Sequence, residues 1–317
     1  GLSGIRAQNA TNLSIEANDF NSGLPTGIVL QGGQNNSLKG NEFSTDSKGA
    51  VINGGSQVLI NDNTFFENSL LELNDVTNSK VQQNDFNSFS SNGITLKQCS
   101  TVLMSQNLYS NSSGKPIDLA LNSAAQSNEG YEKPAFNYAT YKNRTLILKG
   151  KTNNEGDAVE VFYTDNVLGR DLSEYINTVN GTSENEFVVN ISTSPTDIND
   201  RWYRATSTKI VTNGGETEYY TSEASDYFAP NLKICYVTNN SDENKKGSLR
   251  FNIDLANNGE CNLMLFDISG STTITLEKDL QEITAQELII DATSQPGYSS
   301  SPLVEVVPFN KQQGFVI

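Results

Sequence analysis

The sequence contains no histidine. That removes the side chain that most often acts as a general base or zinc ligand near neutral pH. It also leaves any serine or cysteine nucleophile without its usual imidazole partner. Positive charge is scarce: 21 Lys and Arg stand against 37 Asp and Glu, a formal net charge of −16. Arg6 is the only arginine before Arg144. A surface of that sign repels nucleic acid, so no nucleic-acid partner is expected. No apolar run approaches the ~20 residues that cross a bilayer, so no membrane span is expected. The cysteines are Cys99, Cys235 and Cys261, and none sits in a C-x-x-C pair, which argues against a metal knuckle. Cys235 and Cys261 share one candidate segment; a disulfide and two buried thiols stand as equal readings, the first depending on an extracellular setting. Cys99 has no nearby partner and reads as a small core residue.

Long Leu-, Lys- and Glu-rich stretches of helical pattern are also missing. What remains is Asn, Ser, Thr and Gly around short runs of Val, Ile, Thr, Tyr and Phe, the composition of β structure. Hydrophobic residues make up 36% of the 317, enough to build cores and to argue against disorder.

One pattern recurs. Asn-x-aromatic appears as Asn18-Phe20, Asn41-Phe43, Asn63-Phe65, Asn84-Phe86 and Asn107-Tyr109, with the asparagines 23, 22, 21 and 23 residues apart. Short strands keep the same beat: Gly27–Leu30, Gly49–Ile52, Leu70–Leu73, Gly93–Leu96 and Pro116–Leu119, with Gly4-Ile5 one period earlier. A further strand precedes each Asn, as in Leu13-Ser14-Ile15 and Val58-Leu59-Ile60. A period near 22 is the mark of a solenoid. Two strands and one corner per coil predict a parallel β-helix, in which stacking buries one face of every strand in a continuous column; its right hand is what the resemblance given below implies. The Asn would take the left-handed backbone of a sharp corner and bond the Asn one coil away, and the aromatic would stack on its equivalents. The recurrent pair is thus a structural corner before it is a ligand site. A leucine-rich repeat of similar length would need a dense leucine pattern that this sequence lacks.

The beat stops after Leu121. Ser123–Lys133 reads as a polar linker. Runs at 145–150, 158–163, 186–191, 202–207 and 218–221, with turns between, predict an antiparallel, Ig-like β-sandwich. Trp202, the only tryptophan, is expected to anchor its core, with sugar stacking as the alternative. From Pro230 a third segment begins: a strand at 232–237, a helix at Ser248–Asn257 with Ser248 as N-cap and Gly259 as stop, then strands at 262–268, 272–276, 287–290 and 303–307. The expected organisation is an all-β chain: β-helix coils at 1–125, sandwich at 126–229, and at 230–317 the opening coils of a second β-helix with one short helix. Gly1–Arg6 is not a signal peptide and starts within a repeat, which suggests a segment of something longer.

Gly247-Ser248-Leu249-Arg250, Asn257 and Asp291-Ala292-Thr293-Ser294-Gln295-Pro296-Gly297-Tyr298 resemble the "GSLR…AN…IDGTSQPGY" opening of a right-handed β-helix in large repetitive secreted proteins of Bacteroidota type. In the middle segment, Val161-Phe162-Tyr163 and Thr221-Ser222-Glu223-Ala224-Ser225 are similar to the "EFF" and "TSEFS" strings of the sandwich that follows such helices. Ala292 replaces the usual Gly, and the two cysteines around the helix are a further departure. The resemblance implies a cell-surface adhesin, exported by a type IX system, linked to gliding, and built from tandem units.

Parallel β-helices also host pectate lyases and polygalacturonases, which need clustered acids or a cationic base. The candidate acids on the coils are Glu16, Asp19, Glu42, Asp46, Asp62, Glu72, Asp75, Asp85 and Asp118, and most stand singly at turns. No catalytic residue and no cofactor are assigned. Calcium is left open, with Asp62, Glu67, Asp75 and Asp85 near corners but no EF-hand or nonapeptide loop. Tyr131, Tyr138, Tyr141, Tyr219 and Tyr220 either stack on sugars or fill strands. The expectation is a non-catalytic repeat unit of a long extracellular bacterial surface adhesin or filament that joins other copies or adjacent repeats of the same protein head to tail and contacts surface polysaccharide. The rival is a β-helix that binds or cleaves polysaccharide.

Overall fold

A computed structural model describes residues 3–21, 23–45, 48–120, 127–164, 171–194, 197–308 and 315–316. By contacts the chain divides into two compact units rather than along the three sequence segments. One takes in Gly1–Asn137, Lys149–Val189 and Arg201–Ala229, and the other Tyr138–Leu148, Asn190–Asp200 and Pro230–Ile317.

The first unit begins with a parallel β-helix. Ser3–Gln8, Thr26–Gln31, Lys48–Asn53, Leu70–Asn74, Ile94–Lys97 and Ile117–Ala120 pair in that order as a six-stranded parallel sheet. Strands separated in sequence by a whole coil become neighbours because each coil lies on the last. The register is like on like: Ile28, Ala50, Leu71, Ile94 and Ile117 form one column, and Leu30, Ile52, Leu73, Leu96 and Leu119 the next. All ten are buried. A slip of one residue would turn these columns to solvent, so the period of the sequence fixes the pairing.

Each coil visits two further five-stranded parallel sheets, not one strand and a corner. The first of these runs from Ser14–Glu16 to Ser100–Ser105, the second from Asp19–Phe20 to Leu108–Ser110. The Asn-x-aromatic segment is therefore itself a short strand. The left-handed residue also differs from expectation. It is the one before each corner Asn: Ala17, Gly40, Asp62, Gln83 and Gln106 have φ of 52°, 62°, 55°, 54° and 53°. The asparagines keep ordinary φ, which aims their side chains inward.

Glycine at the start of the first-sheet strands has a packing cause. A Cβ on Gly27 would lie 2.8 Å from Phe43 Cδ1, and one on Gly49 2.5 Å from Phe65 Cδ1. The coil that writes Leu70-Leu71 in place of Gly-x carries a register shift there: Leu70 pairs with Lys48 and Leu71 with Ala50, so Gly49 is passed over. This accounts for the 21-residue spacing, the shortest of the series.

The rest of the first unit is antiparallel. Glu174–Asn180, Ala158–Thr164, Trp202–Asn213 and Glu216–Thr221 make a four-stranded sheet. A three-stranded sheet, Ala135–Lys142, Thr145–Lys151 and Glu186–Ser192, has its residues divided between the units. Within the first unit Phe136 stacks at 5.4 Å on Phe228, which bridges to Tyr203 of the four-stranded sheet, and Thr152 Oγ1 lies 2.7 Å from Ser207 Oγ, so the arrangement is sandwich-like. Trp202 does not anchor this core. It is part-exposed, and its neighbour Tyr203 is fully buried, because alternation gives the inward face to Tyr203 and Ala205. Ala158–Thr164 is buried on both faces: Val159, Val161 and Tyr163 on one, Glu160, Phe162 and Thr164 on the other. Phe162 belongs to the β-helix core, so this sheet covers the end of the coils.

The second unit has its own core. Ile234–Val237, Leu263–Phe266 and Ile289–Asp291 form a parallel sheet, and Thr273–Leu276 pairs in parallel with Glu305–Pro308. The helix Leu249–Asn257 starts at Ser248, whose side chain accepts from the Phe251 N–H, and buries Leu249, Ile253 and Ala256. Cys235 and Cys261 form a disulfide, and Cys99 is buried and free.

Candidate functional site

The recurrent corner gives two ladders. Phe20, Phe43, Phe65, Phe86 and Tyr109 stack face to face, with successive centroids 5.0, 4.7, 4.6 and 5.1 Å apart and planes within 12° of parallel. The spacing is that of neighbouring strands, so the sheet imposes it. Beside the rings, the corner asparagines bond from coil to coil. Asn63 Oδ1 accepts from the Asn41 backbone N–H and Nδ2, both at 2.9 Å, and Asn63 Nδ2 donates to Leu38 O at 2.9 Å and Asn61 O at 3.0 Å. Asn84 repeats this with Asn63 and Ile60, and Asn107 with Asn84 and Val81. Asn41, Asn63, Asn84 and Asn107 are buried, whereas Asn18 lies exposed at the first coil. The four buried side chains, so engaged, have no capacity left for a ligand.

The last coil ends on side chains that stand in for the coil that would follow. Glu160 accepts from Gln106 N–H at 2.8 Å and Ser105 Oγ at 2.5 Å. Asp171 Oδ1 accepts from Ser112 N–H at 3.0 Å and Ser112 Oγ at 2.7 Å. Glu223 accepts from Leu119 N–H at 3.1 Å, and Thr221 Oγ1 from Met104 N–H at 3.0 Å. Asn128 Oδ1 accepts from Val102 N–H while its Nδ2 donates to Val102 O. Asn128 falls in the stretch read as a linker, and it and Ser127 are fully buried. Burial pushes the Glu160 pKa up, against the bonds from Gln106 and Ser105. Sequence reading missed this cap. Its signal was Glu160 inside an otherwise apolar strand, a charge that only a buried donor explains.

The acids named as candidates are dispersed. Asp62 and Asp75 hold left-handed turn positions, as does Glu67. Glu16, Asp19 and Glu42 are exposed on strands of successive coils, and Asp46 lies outside the described residues. Asp85 is on Asp85–Asn87, where burial raises its pKa. Asp118 pairs with Lys115 at 2.9 Å. Glu72 is bracketed by Lys48 at 2.6 Å and Lys97 at 3.1 Å. Burial works to raise the Glu72 pKa, but hydrogen bonds from Lys48, Asn74 and Lys97 outweigh it and bring it down to about 2. Among the described residues no group of three or more His, Cys, Asp or Glu gathers in a way that could hold a metal. Arg6, which with the scattered lysines was a candidate lyase base, sits on the outer face of the first strand, in register with Val29.

The tyrosines divide. Tyr141 and Tyr220 are buried, Tyr131 donates to Asp157 at 2.5 Å, Lys80 lies over the Tyr219 ring, and Tyr138 is exposed. In the second unit the string at 291–295 is structural. Ser294 Oγ accepts from Phe266 N–H at 2.7 Å, and the Gln295 amide exchanges two bonds of 2.9 Å with the Ile268 backbone. Arg250 meets Asp242 at 2.6 Å with both side chains buried, and also donates to the carbonyls of Lys278 and Asp279.

A β-helix repeat protein is thereby defined: an all-β chain whose coils run in register and whose recurrent residues face inward. A family model described as a right handed beta helix region matches residues 1–129, which span the coils and the capping turn at Asn128. A search of curated proteins found no significant match. No described helix is long and apolar enough to cross a membrane.

Proposed function

We propose that the chain is a non-catalytic repeat unit of a long extracellular surface adhesin or filament. The observation that carries this reading is the internal use of its recurrent residues. The corner asparagines bond between coils, the buried carboxylates of Glu160 and Asp171 hold the end of the coils, and Ser294 and Gln295 bond the next parallel strand. Coils that pair through every backbone group resist bending, and repeated weak contacts along them give firm attachment. The Cys235–Cys261 disulfide favours an oxidising compartment, the outside of a bacterial cell. Head-to-tail joining to other copies or to adjacent repeats of the same protein rests on the tandem organisation that the resemblance implies. Type IX export and gliding rest on the resemblance of the 247–298 strings.

Electron microscopy of the parent material should reveal a filament with a repeating axial unit; compact isolated particles would overturn the assembly. The second reading, a β-helix that cleaves polysaccharide, is tested by incubating the chain with polyuronates and β-glycans. New reducing ends or unsaturated products, abolished by one carboxylate substitution, would replace the first reading with it.

A further inference from the structure

A cleft of about 560 Å³ opens in the first unit beside the turn at Ser113–Ile117 and the segment Glu223–Tyr227. Its wall carries Lys115, Lys133 and Arg204 together with Glu223 and Asp226, so three cations face two carboxylates in a chain of net charge −16. Arg204 is the informative one. Its Nε donates to Ser225 O at 2.6 Å and one Nη to Ala224 O at 3.4 Å, and it makes no ion pair with a described carboxylate. Burial brings its pKa down to about 10 against the fields of Asp226, Asp171 and Glu223. A guanidinium has five N–H donors, and a desolvated one with no carboxylate in direct contact is costly. Here it is held by two carbonyls with its remaining donors at a cleft wall.

Lys115 and Lys133 are differently placed. Lys115 is 58% exposed and shares Asp118 and Glu223, and Lys133 is 44% exposed and pairs with Asp226, itself 87% exposed. Exposed ion pairs of this kind contribute little and exchange readily. Tyr227 completes the wall, 55% exposed and braced edge-on by Trp202 at 6.3 Å. A fixed, exposed aromatic ring is a platform for the apolar face of a sugar, and Asn92, whose Nδ2 donates to Asp118 at 3.0 Å, lines the same wall.

We propose that this cleft binds a carboxylated saccharide, the sugar ring on Tyr227 and the carboxylate on the Arg204 fork, with Lys115 and Lys133 at the rim. The proposal rests on the attachment reading above and names its ligand class. A guanidinium takes a carboxylate through two parallel N–H···O bonds, which a lone lysine cannot reproduce.

The test is calorimetric titration of the 317-residue chain with a short oligogalacturonate, its methyl ester, a sulfated neutral oligosaccharide and acetate. The acid oligomer is expected to bind, its ester and acetate to bind at least about tenfold more weakly, and added salt to weaken the acid form. Tyr227→Ala should weaken binding about tenfold with an unchanged melting temperature, since the ring is exposed. Arg204→Lys should do the same; because Arg204 also ties two carbonyls, Tyr227→Ala is the deciding variant if the Arg204 variant does not fold. Absence of binding at millimolar ligand, equal binding of the ester or the sulfated sugar, or no effect of Tyr227→Ala would overturn the site. Lost binding with filaments intact rejects the cleft alone, and binding without filaments rejects the assembly reading alone.

Discussion

At the residue scale, Asn63 is representative. It answers two donors of Asn41 and two carbonyls, all out of water. Asn63→Ala would strand the buried Asn41 N–H, and we expect a loss of about 2–4 kcal/mol. The midpoint of urea unfolding measures it; a loss near zero would mean that water replaces the ladder. Glu72 gives a pH test. Its pKa is depressed in the fold from an ordinary 4.5 to about 2. Its contribution is therefore complete above about pH 4.5 and lost as pH falls through about 2. Because Lys48 and Lys97 are 37% and 43% exposed, screening leaves about 1–2 kcal/mol. Glu72→Gln should flatten the acid limb of the stability profile while leaving other transitions in place.

At the element scale, the coil is the unit of stability and its last edge is the exposed liability. Glu160 blunts that edge as an acceptor, yet burial raises its pKa. A raised acid binds protons more tightly in the fold, so its contribution declines as pH climbs above the ordinary carboxylate value. Glu160→Gln retains an acceptor for Gln106 N–H and removes the buried charge. We expect it to stay within about 1 kcal/mol of the parent and to lose that pH dependence, whereas Glu160→Ala strands Gln106 N–H and costs about 1–3 kcal/mol. Equal effects of the two substitutions, read by thermal unfolding across pH, would contradict the capping role. The aromatic stack belongs to this scale as well: Phe65 lies between the rings of the coils on either side, so truncating it would open a void that spans three coils.

At the scale of the whole molecule, the two units have separate cores, and the disulfide belongs to the second. Closing a loop between cysteines 26 residues apart should stabilise that unit by about 3 kcal/mol. Reduction is expected to lower the unfolding transition of the second unit in differential scanning calorimetry without moving the transition that Trp202 fluorescence reports for the first. One transition shifting as a whole would show the two units to be coupled. The sequence divides into three segments because composition changes near 125 and 230; the fold joins the coils to most of the sandwich because Phe162, Leu172 and Ala224 complete the β-helix core.

Much of the solenoid was legible, for a physical reason: a column repeats its chemistry at each level, so Asn-x-aromatic, the Leu and Ile ends of the strands and the Gly starts all recur at one period. The helix at Leu249–Asn257 was equally readable from Ser248 and its apolar face. What the sequence could not display were the pairings across unrelated segments. That Ala17 and Asp62 rather than their asparagines take the left-handed turn depends on where the Asn amide must reach. That Trp202 yields the core to Tyr203 depends on which face of one strand meets the opposing sheet. Asn128, Glu160, Asp171 and Glu223 come from scattered stretches and share no period, and only folding brings them to the same edge of backbone donors. Local repetition determined the coil; tertiary contact alone decided how the coil ends and where the cleft lined by Arg204 and Tyr227 opens beside it.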